Sequence, residues 1–410
     1  MPDWTRYYAQ RVTGMRASDI RDAFKLAEEP GIISFAGGFP APDSFPVAEV
    51  RRLLAELLMT EPAAALQYGP TEGYYQLRRF IAGQMAGEGI AVEPENILVT
   101  SGSQQALDLI CKLFVNPGDT VLVELPAYIG GINAAINYQA DLVGIPLDEE
   151  GLVPAEMVKI LKNLKAAGRR PALLYVVPNF QNPTGVTMSS ARRRQLLALA
   201  AEYDFLIIED NPYGSLRYEG QPLPHLKTMD GEDRVLYLGS FSKVFLPGLR
   251  LGWIAADQAV IQKLTVAKQG TDLCGNSLGQ KLVYAYAESG RLEPHIAHLL
   301  SLYRRKRDIA LSSLTRFFPP GISWSKPEGG FFIWLTLPAG LDARALLPQA
   351  IAEEKVAYIP GGAFFVDGSG RNTIRLAFSQ VGEEELVEGI RRLGRFFAGV
   401  LEKRRGATTA

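Results

Sequence analysis

The chain has 410 residues, 47% of them hydrophobic and 21% charged, which is long enough for two globular domains. Its 43 Lys and Arg nearly balance its 44 Asp and Glu, which argues against binding to nucleic acid or to an anionic membrane. With two cysteines, no apolar leader and no run of 18 apolar residues, we expect a cytoplasmic protein without a membrane span. Three histidines and the absence of HExxH and CxxC patterns argue against a metal site.

The first 90 residues combine predicted helices with a loop rich in glycine and proline. Helices are expected over residues 18–26 and 48–58. The segment 36–42, AGGFPAP, is typical of a loop whose backbone approaches a ligand closely. Tyr68 follows in a Tyr-Gly-Pro turn, just before the next helix.

From residue 90 onward, strands and helices alternate. Apolar strands are predicted at 96–100, 121–123, 172–177, 205–209, 235–238 and 251–255, with helices between them. This alternation predicts an α/β fold in which a mainly parallel sheet is covered by helices on both faces. After residue 290, a long helix and strands at 331–335, 357–359 and 373–377 predict a second, smaller α+β domain.

Candidate binding residues follow the first three of these strands. Ligands of open parallel sheets bind at the carboxyl ends of the strands. Ser103 and Gln104 stand at a helix N-terminus that favours a phosphate, unless Ser103 only caps the helix. Tyr128 either stacks on a planar ring or is an ordinary half-buried tyrosine. Asn182, in Asn-Pro-Thr-Gly, either donates to a ligand or only forms a turn.

The strand at 205–209 ends in a carboxylate. Asp210 at a buried strand end should find a cation, and the protonated ring nitrogen of pyridoxal 5'-phosphate (PLP) is one. The alternative is that Asp210 caps a helix. Tyr213, three residues on, is placed to donate to the ring oxygen.

The strand at 235–238 leads into SFSKVFLPGLRLG, which holds a lysine and an arginine seven residues apart. Lys243 between buried strands loses hydration, which lowers its pKa and makes it a nucleophile toward carbonyls, unless it is a solvated turn residue. Ser240, Ser242 and Arg250 are donors suited to a phosphate monoester. The five strand ends together predict a PLP site.

The motifs GSQQALDL, NFQNPTG, EDNPY and SFSKVFLPGLRLG resemble the fold type I PLP-dependent aminotransferases of class I/II, from about residue 15 to 400. IISFAGGFPAPDSFP and LQYGPTEGYYQLR resemble the branch that includes 2-aminoadipate, kynurenine and aromatic aminotransferases. The resemblance implies a large domain over 46–290 with a seven-stranded, mainly parallel sheet and a small domain over 291–410. It also implies that segment 1–45 packs with the small domain and the active site.

The resemblance also implies residue roles. Lys243 would bind PLP covalently and move the substrate proton, Asp210 would pair with the ring nitrogen, and Tyr213 with Asn182 would donate to the ring oxygen. Phosphate contacts would come from Ser103, Gln104, Ser240, Ser242 and Arg250, with Tyr128 on the ring. Tyr68 would reach the phosphate of the neighbouring subunit in a homodimer with shared sites. Substrate contacts would come from Ser18, Arg21, Gly38, Asn182 and Arg375.

Arg375 would grip the α-carboxylate of the substrate, and Arg21 would meet a distal carboxylate unless it is a solvated helix residue. The predicted activity is transamination of 2-aminoadipate or glutamate, and secondarily of aromatic amino acids, with 2-oxoglutarate as acceptor.

Two alternatives to this activity stay open. A PLP-dependent β-lyase or decarboxylase would use the same groups. A third interpretation is that the chain is the effector-binding module of a MocR-type regulator. Because the aminotransferase pattern begins by about residue 15 and the net charge is −1, we expect no DNA-reading domain.

Overall fold

The computed structural model describes residues 1–14 and 31–409. The predicted helix over 18–26, with Ser18 and Arg21, lies outside the described residues. Within the described ranges, no helix combines the length and apolarity that crossing a membrane requires.

Thirteen α-helices are present in the described residues, and the predicted helix over 48–58 is the first of them. Their bounds are α1 Val47–Thr60, α2 Pro62–Leu66, α3 Tyr75–Gly87, α4 Gly102–Phe114, α5 Ile129–Asn137, α6 Pro154–Ala166, α7 Ser190–Tyr203, α8 Leu226–Met229, α9 Gln258–Asp272, α10 Ser277–Glu288, α11 Leu292–Phe317, α12 Ala343–Glu354 and α13 Glu383–Thr409. Side chains cap several N-termini: Ser189 accepts from the Arg192 amide before α7, and Asp257 accepts from the Ala259 amide before α9.

The strands form a large sheet, a small sheet and one separate pair. Their bounds are β1 Ile33–Ser34, β2 Ile97–Thr100, β3 Thr120–Leu125, β4 Asp141–Asp148, β5 Gly151–Leu152, β6 Pro171–Val176, β7 Leu206–Asp210, β8 Val235–Ser240, β9 Gly252–Ala255, β10 Ser323–Trp324, β11 Phe332–Thr336, β12 Val356–Ala357, β13 Ile359–Pro360 and β14 Thr373–Ala377.

The large sheet has the order β2-β9-β8-β7-β6-β3-β4-β5. Strands β8, β7, β6, β3 and β4 are parallel neighbours, whereas β9 runs antiparallel between β2 and β8. The predicted mainly parallel sheet between helices is therefore confirmed. The two-residue β5 adds an eighth strand through an antiparallel turn from β4. Gly144 and Pro146 interrupt the apolar pattern of β4, which is why the sequence does not mark it clearly.

The parallel arrangement places the carboxyl ends of β2, β3, β6, β7 and β8 along one edge of the large sheet. The strands are buried on both faces, since Leu98, Leu174 and Leu238 all have 0% exposed surface. Apolar burial of this kind fixes the strands, so that the polar residues just after them are held at one edge. Ser103, Tyr128, Asn182, Asp210 and Lys243 stand at this edge.

A second, antiparallel sheet has the order β10-β11-β14-β13 and carries Arg375 in β14. The N-terminal segment joins this region, because β1 pairs in parallel with β12 and the Ala377 amide donates to the Phe35 carbonyl. The 26-residue α11 precedes the small sheet and packs against α13. The domain boundaries at residues 45 and 290 stay a prediction.

Candidate active site

A cavity of about 410 Å³ opens at the carboxyl edge of the large sheet, facing the small sheet. It is lined by twelve of the residues named from sequence: Gly38, Ser103, Gln104, Tyr128, Asn182, Asp210, Tyr213, Ser240, Ser242, Lys243, Arg250 and Arg375. These residues span more than 300 positions of the chain, and the fold brings them to one place.

Lys243 follows β8 and points into the cavity, where its Nζ donates to the Gly38 carbonyl at 2.9 Å. Burial lowers the pKa of the Lys243 ammonium to about 8, with the positive charges of Arg375 and Arg250 acting in the same direction and Asp210 opposing them. A lysine with this pKa has a sizeable neutral fraction near neutral pH, as a nucleophilic amine requires. Lys243 is therefore a cavity residue and not a solvated turn residue.

Asp210 is the last residue of β7, and its side chain is 2% exposed. One carboxylate oxygen, Oδ2, accepts from the Tyr175 hydroxyl at 2.9 Å. The other, Oδ1, is buried and has no hydrogen-bond partner within the described residues. Burial raises the pKa of Asp210 to about 7, against the lowering effects of the Tyr175 bond and of Lys243. Asp210 lies in a strand and bonds to a tyrosine, so it does not cap a helix.

Arg375 enters the cavity from the small sheet and is 3% exposed. Its Nη1 donates to Asn182 Oδ1 at 3.0 Å and its Nη2 to the Ala36 carbonyl at 2.6 Å. The guanidinium lies over the Phe332 ring, 4.5 Å from its centroid, and Nε has no partner in the described part of the chain. Burial lowers the pKa of Arg375 to about 10, so the group stays cationic at neutral pH. An anionic ligand in the cavity would meet an incompletely satisfied guanidinium.

The N-terminus of α4 also borders the cavity, through Ser103 and Gln104. The Ser103 hydroxyl is buried without a hydrogen-bond partner in the described ranges, so it does not cap its helix. Gly102 has φ +71°, and a Cβ there would lie 2.7 Å from Arg250 Nη2. The Ser240 hydroxyl accepts from the Ser242 amide at 3.0 Å. Helix amides, hydroxyls and a guanidinium at one spot are suited to a phosphate.

Aromatic side chains, among them Tyr128 and Tyr213, also line the cavity. Tyr128 borders the cavity and is only half-buried, and a Cβ at Gly130 would overlap its ring. Tyr213 is 3% exposed and packs edge-on against Phe331 and Phe332 at 5.6 and 5.7 Å between ring centroids. Burial raises the pKa of the Tyr213 hydroxyl, which therefore stays protonated and able to donate.

Tyr68 is not brought to the cavity: it is 78% exposed and does not line the cavity. Its predicted contact is with a neighbouring subunit and stays a prediction.

Two cavity residues that the motifs do not reveal are Tyr175 and Phe332. Both lie inside apolar strands, where the pattern marks them only as buried. The period-two alternation of Leu173, Tyr175 and Val177 places Tyr175 on one face of β6 and is the one sequence signal for it.

Comparisons with known proteins all indicate the same protein family. The model of the aminotransferase class I and II family matches residues 31–393. The chain belongs to this family. It is 46% identical over 392 residues to aromatic-amino-acid aminotransferase 1 of Thermococcus litoralis, covering 95% of this chain and 94% of the relative. It is 41% identical over 401 residues to the 2-aminoadipate transaminase of Thermus thermophilus, covering 97% and 98%.

Among solved structures, the kynurenine aminotransferase of Pyrococcus horikoshii in complex with PMP superimposes with a TM-score of 0.93 at 45% identity, covering 97% of this chain and 98% of that one. The protein is a PLP-dependent aminotransferase of fold type I, as the motifs predict. The cavity of this aminotransferase fits PLP on its own geometry. Ser103 Oγ and Asp210 Oδ1, two buried polar atoms without partners within the described residues, face the same cavity as Lys243.

Proposed function

We propose that this aminotransferase transfers the amino group of 2-aminoadipate or glutamate, and secondarily of aromatic amino acids, to 2-oxoglutarate in this cavity. One observation carries the site assignment: Lys243, the open Asp210 oxygen and the incompletely satisfied Arg375 line a single cavity. Lys243 would supply the nucleophilic amine, Asp210 the partner for the cationic ring, and Arg375 the receptor for the substrate carboxylate.

The residues at the α4 end would hold the phosphate, and Asp210 with Tyr128 would hold the ring. PLP, when bound, supplies a ring that withdraws electrons from the α-carbon of the amino acid. Lys243 is the general base and acid of the proposal, because its pKa of about 8 lets it accept a proton from the α-carbon of the amino acid and then donate that proton to C4' of the cofactor. Tyr213 and Asn182 are proposed donors to the ring oxygen.

Arg375 is the proposed receptor of the α-carboxylate, a group that the donor and the acceptor share. Its Nε is available, and the Ala36 bond can be exchanged for a carboxylate oxygen, which allows bidentate binding. Phe332 holds the guanidinium plane from one side. A single receptor therefore serves both halves of the reaction.

The choice of donor rests on the relatives and on the N-terminal segment. Relatives named for aromatic amino acids and for 2-aminoadipate are 46% and 41% identical to this chain. Arg21, in the pattern of that branch, is the proposed contact for a distal carboxylate. Ser18 and Gly38 are proposed as further substrate contacts, and Gly38 borders the cavity beside Lys243. Aromatic side chains would be accepted without that charge contact.

A homodimer in the cytoplasm is proposed as the working form. The segment around α1 and α2 leaves large apolar side chains exposed: Met59 is 76%, Leu66 68% and Tyr68 78% exposed. An apolar surface of this kind is typical of a protein interface, which supports the proposed contact of Tyr68 with a partner subunit. Sedimentation of the holoenzyme is expected to give twice the mass of the 44.9 kDa chain; a monomer would contradict the dimer.

The function is tested by a product balance. Purified enzyme with PLP, 2-aminoadipate and 2-oxoglutarate is expected to form one glutamate for each 2-oxoadipate. Release of CO₂ or of a side-chain fragment without glutamate would show a decarboxylase or a β-lyase instead.

Specificity is tested with the Arg21→Ala variant, whose kcat/KM is compared with that of the wild type for 2-aminoadipate and for leucine. A loss confined to 2-aminoadipate supports the proposal, and equal losses refute it.

A further inference from the structure

We propose that Tyr175 is a positioning residue for the cofactor: its hydroxyl fixes one oxygen of Asp210 so that the other is presented to the ring nitrogen. This inference rests on the proposed role of Asp210 as partner of that nitrogen. The two oxygens of Asp210 differ clearly in their surroundings, since Oδ2 accepts from Tyr175 at 2.9 Å and Oδ1 has no partner in the described part of the chain.

The register of the sheet explains why these two side chains meet. Tyr175 in β6 lies opposite Ile208 in β7, and Asp210 follows two residues later on the same face. The diagonal distance between such positions is within reach of a tyrosine. Tyr175 is 2% exposed, so no bulk water competes for its hydroxyl or for Oδ2.

The Tyr175 ring is held in place by its neighbours. Gly131, near the start of α5, faces the ring so closely that a Cβ at that position would overlap it. The hydroxyl is a dependable donor, because burial and the charge of Asp210 raise the pKa of Tyr175 well above its ordinary value. A fixed ring and a permanent proton leave Asp210 a single favourable orientation.

The bond also opposes the effect of burial on Asp210. A carboxylate that loses its hydration tends to take up a proton, and a hydrogen bond to the ionised form counteracts this. A neutral Asp210 would not stabilise a protonated ring nitrogen. Tyr175 therefore acts on the cofactor through Asp210: it orients the Asp210 carboxylate and helps to keep that carboxylate ionised.

The test is Tyr175→Phe, which removes one oxygen and keeps the ring. The readouts are the Kd for PLP and the ¹⁵N chemical shift of ¹⁵N-labelled PLP in the holoenzyme, which reports protonation of the ring nitrogen. We expect a roughly tenfold weaker Kd, because a hydrogen bond to a charged group is lost, and a ¹⁵N shift moved toward the neutral ring. An unchanged ¹⁵N shift would overturn the inference, whatever the Kd.

Tyr358→Phe is the matched control. Tyr358 is 0% exposed, and its hydroxyl donates one bond, to the Ala343 carbonyl at 2.9 Å, away from the cavity. Both variants should lower the thermal midpoint by similar amounts, but only Tyr175→Phe should alter the two cofactor readouts. Equal changes in those readouts would show a general packing effect and refute the inference.

Asp210→Asn separates the inference from the role on which it rests. If Asp210→Asn leaves the ¹⁵N shift unchanged, the role of Asp210 fails. If it changes the shift and Tyr175→Phe does not, only the Tyr175 inference fails. In the double variant, Tyr175→Phe should add little to the Kd effect of Asp210→Asn, because the two residues act as a unit. Fully additive effects would contradict a role through Asp210.

Discussion

The cofactor side and the substrate side of the cavity are built in different ways. The proposed cofactor residues that line the cavity stand at or after the carboxyl ends of β2, β3, β6, β7 and β8, which all belong to one sheet. The proposed substrate residues come from separate parts of the molecule: Arg375 is 193 positions from Asn182 and 339 from Ala36, its two hydrogen-bond partners. The cofactor side depends on strand order, and the substrate side depends on how two sheets pack.

The difference has a mechanistic consequence. Groups fixed on one rigid sheet keep their mutual geometry, as a permanently held cofactor requires. Arg375 instead joins β14 to the N-terminal segment through the Ala36 carbonyl, so a substrate carboxylate would compete for a contact that connects two segments. We therefore expect variants of the two sides to separate into effects on PLP binding and effects on substrate binding.

The largest effect is expected for Lys243→Ala. Loss of the group that moves the proton should reduce kcat by about 10⁴-fold. The control is Lys263→Ala, an exposed lysine on α9, which should keep wild-type kcat. Steady-state assays with a saturating amino acid give both values. A Lys243→Ala variant with more than a tenth of wild-type kcat would show that another residue moves the proton.

Arg375→Ala should affect the substrate side alone. We expect kcat/KM for the amino acid to fall about 100-fold, because a charged hydrogen-bond pair is lost, while the Kd for PLP changes little. Arg375→Lys should recover only part of this, since lysine cannot bind a carboxylate bidentately. Arg371→Ala, at an exposed position just before β14, is the control. A large change in the PLP Kd would remove the distinction between the two sides.

Gly102→Ala should affect the cofactor side alone. Its φ of +71° is unfavourable for alanine, and the new Cβ would press on Arg250. We expect the Kd for PLP to weaken about tenfold, with little change in KM for the amino acid. Gly83→Ala in α3, where nothing lies within 4 Å of a new Cβ, is the control and should match wild type. Titration of the apoenzyme with PLP distinguishes the outcomes.

The smallest effect on activity is expected for Glu124→Gln, whose predicted consequence is a change in the pH dependence of stability. Glu124 accepts from the Val177 amide and from Gln181, and burial raises its pKa to about 8. The folded state holds this proton up to about pH 8 and the unfolded state releases it near 4.5, so the wild type loses stability as pH rises between these values. The neutral glutamine avoids this loss. Its free energy of unfolding relative to wild type should rise by about 3 to 4 kcal/mol from pH 5 to 8; a constant difference would contradict the pKa assignment.

The cofactor side could be largely predicted from the sequence because apolar strands end sharply in polar, glycine-rich segments. Ser103, Asp210 and Lys243 each stand at or just after such a strand, and it is their combination, not any one local pattern, that predicts a cofactor site. Tyr175 could not be assigned a function, because which buried residue touches Asp210 depends on the register of β6 and β7. Arg375 lies inside a strand of the other sheet, and only the packing of the two sheets shows that it reaches Asn182.

The central claim, that the strand-end residues hold PLP at Lys243, is tested most directly by reduction of the PLP-loaded wild-type enzyme with borohydride and peptide mapping by mass spectrometry. The predicted result is one phosphopyridoxyl group per chain, on the peptide containing Lys243. A label on another lysine, or no stable label in an enzyme that transaminates, would contradict the account.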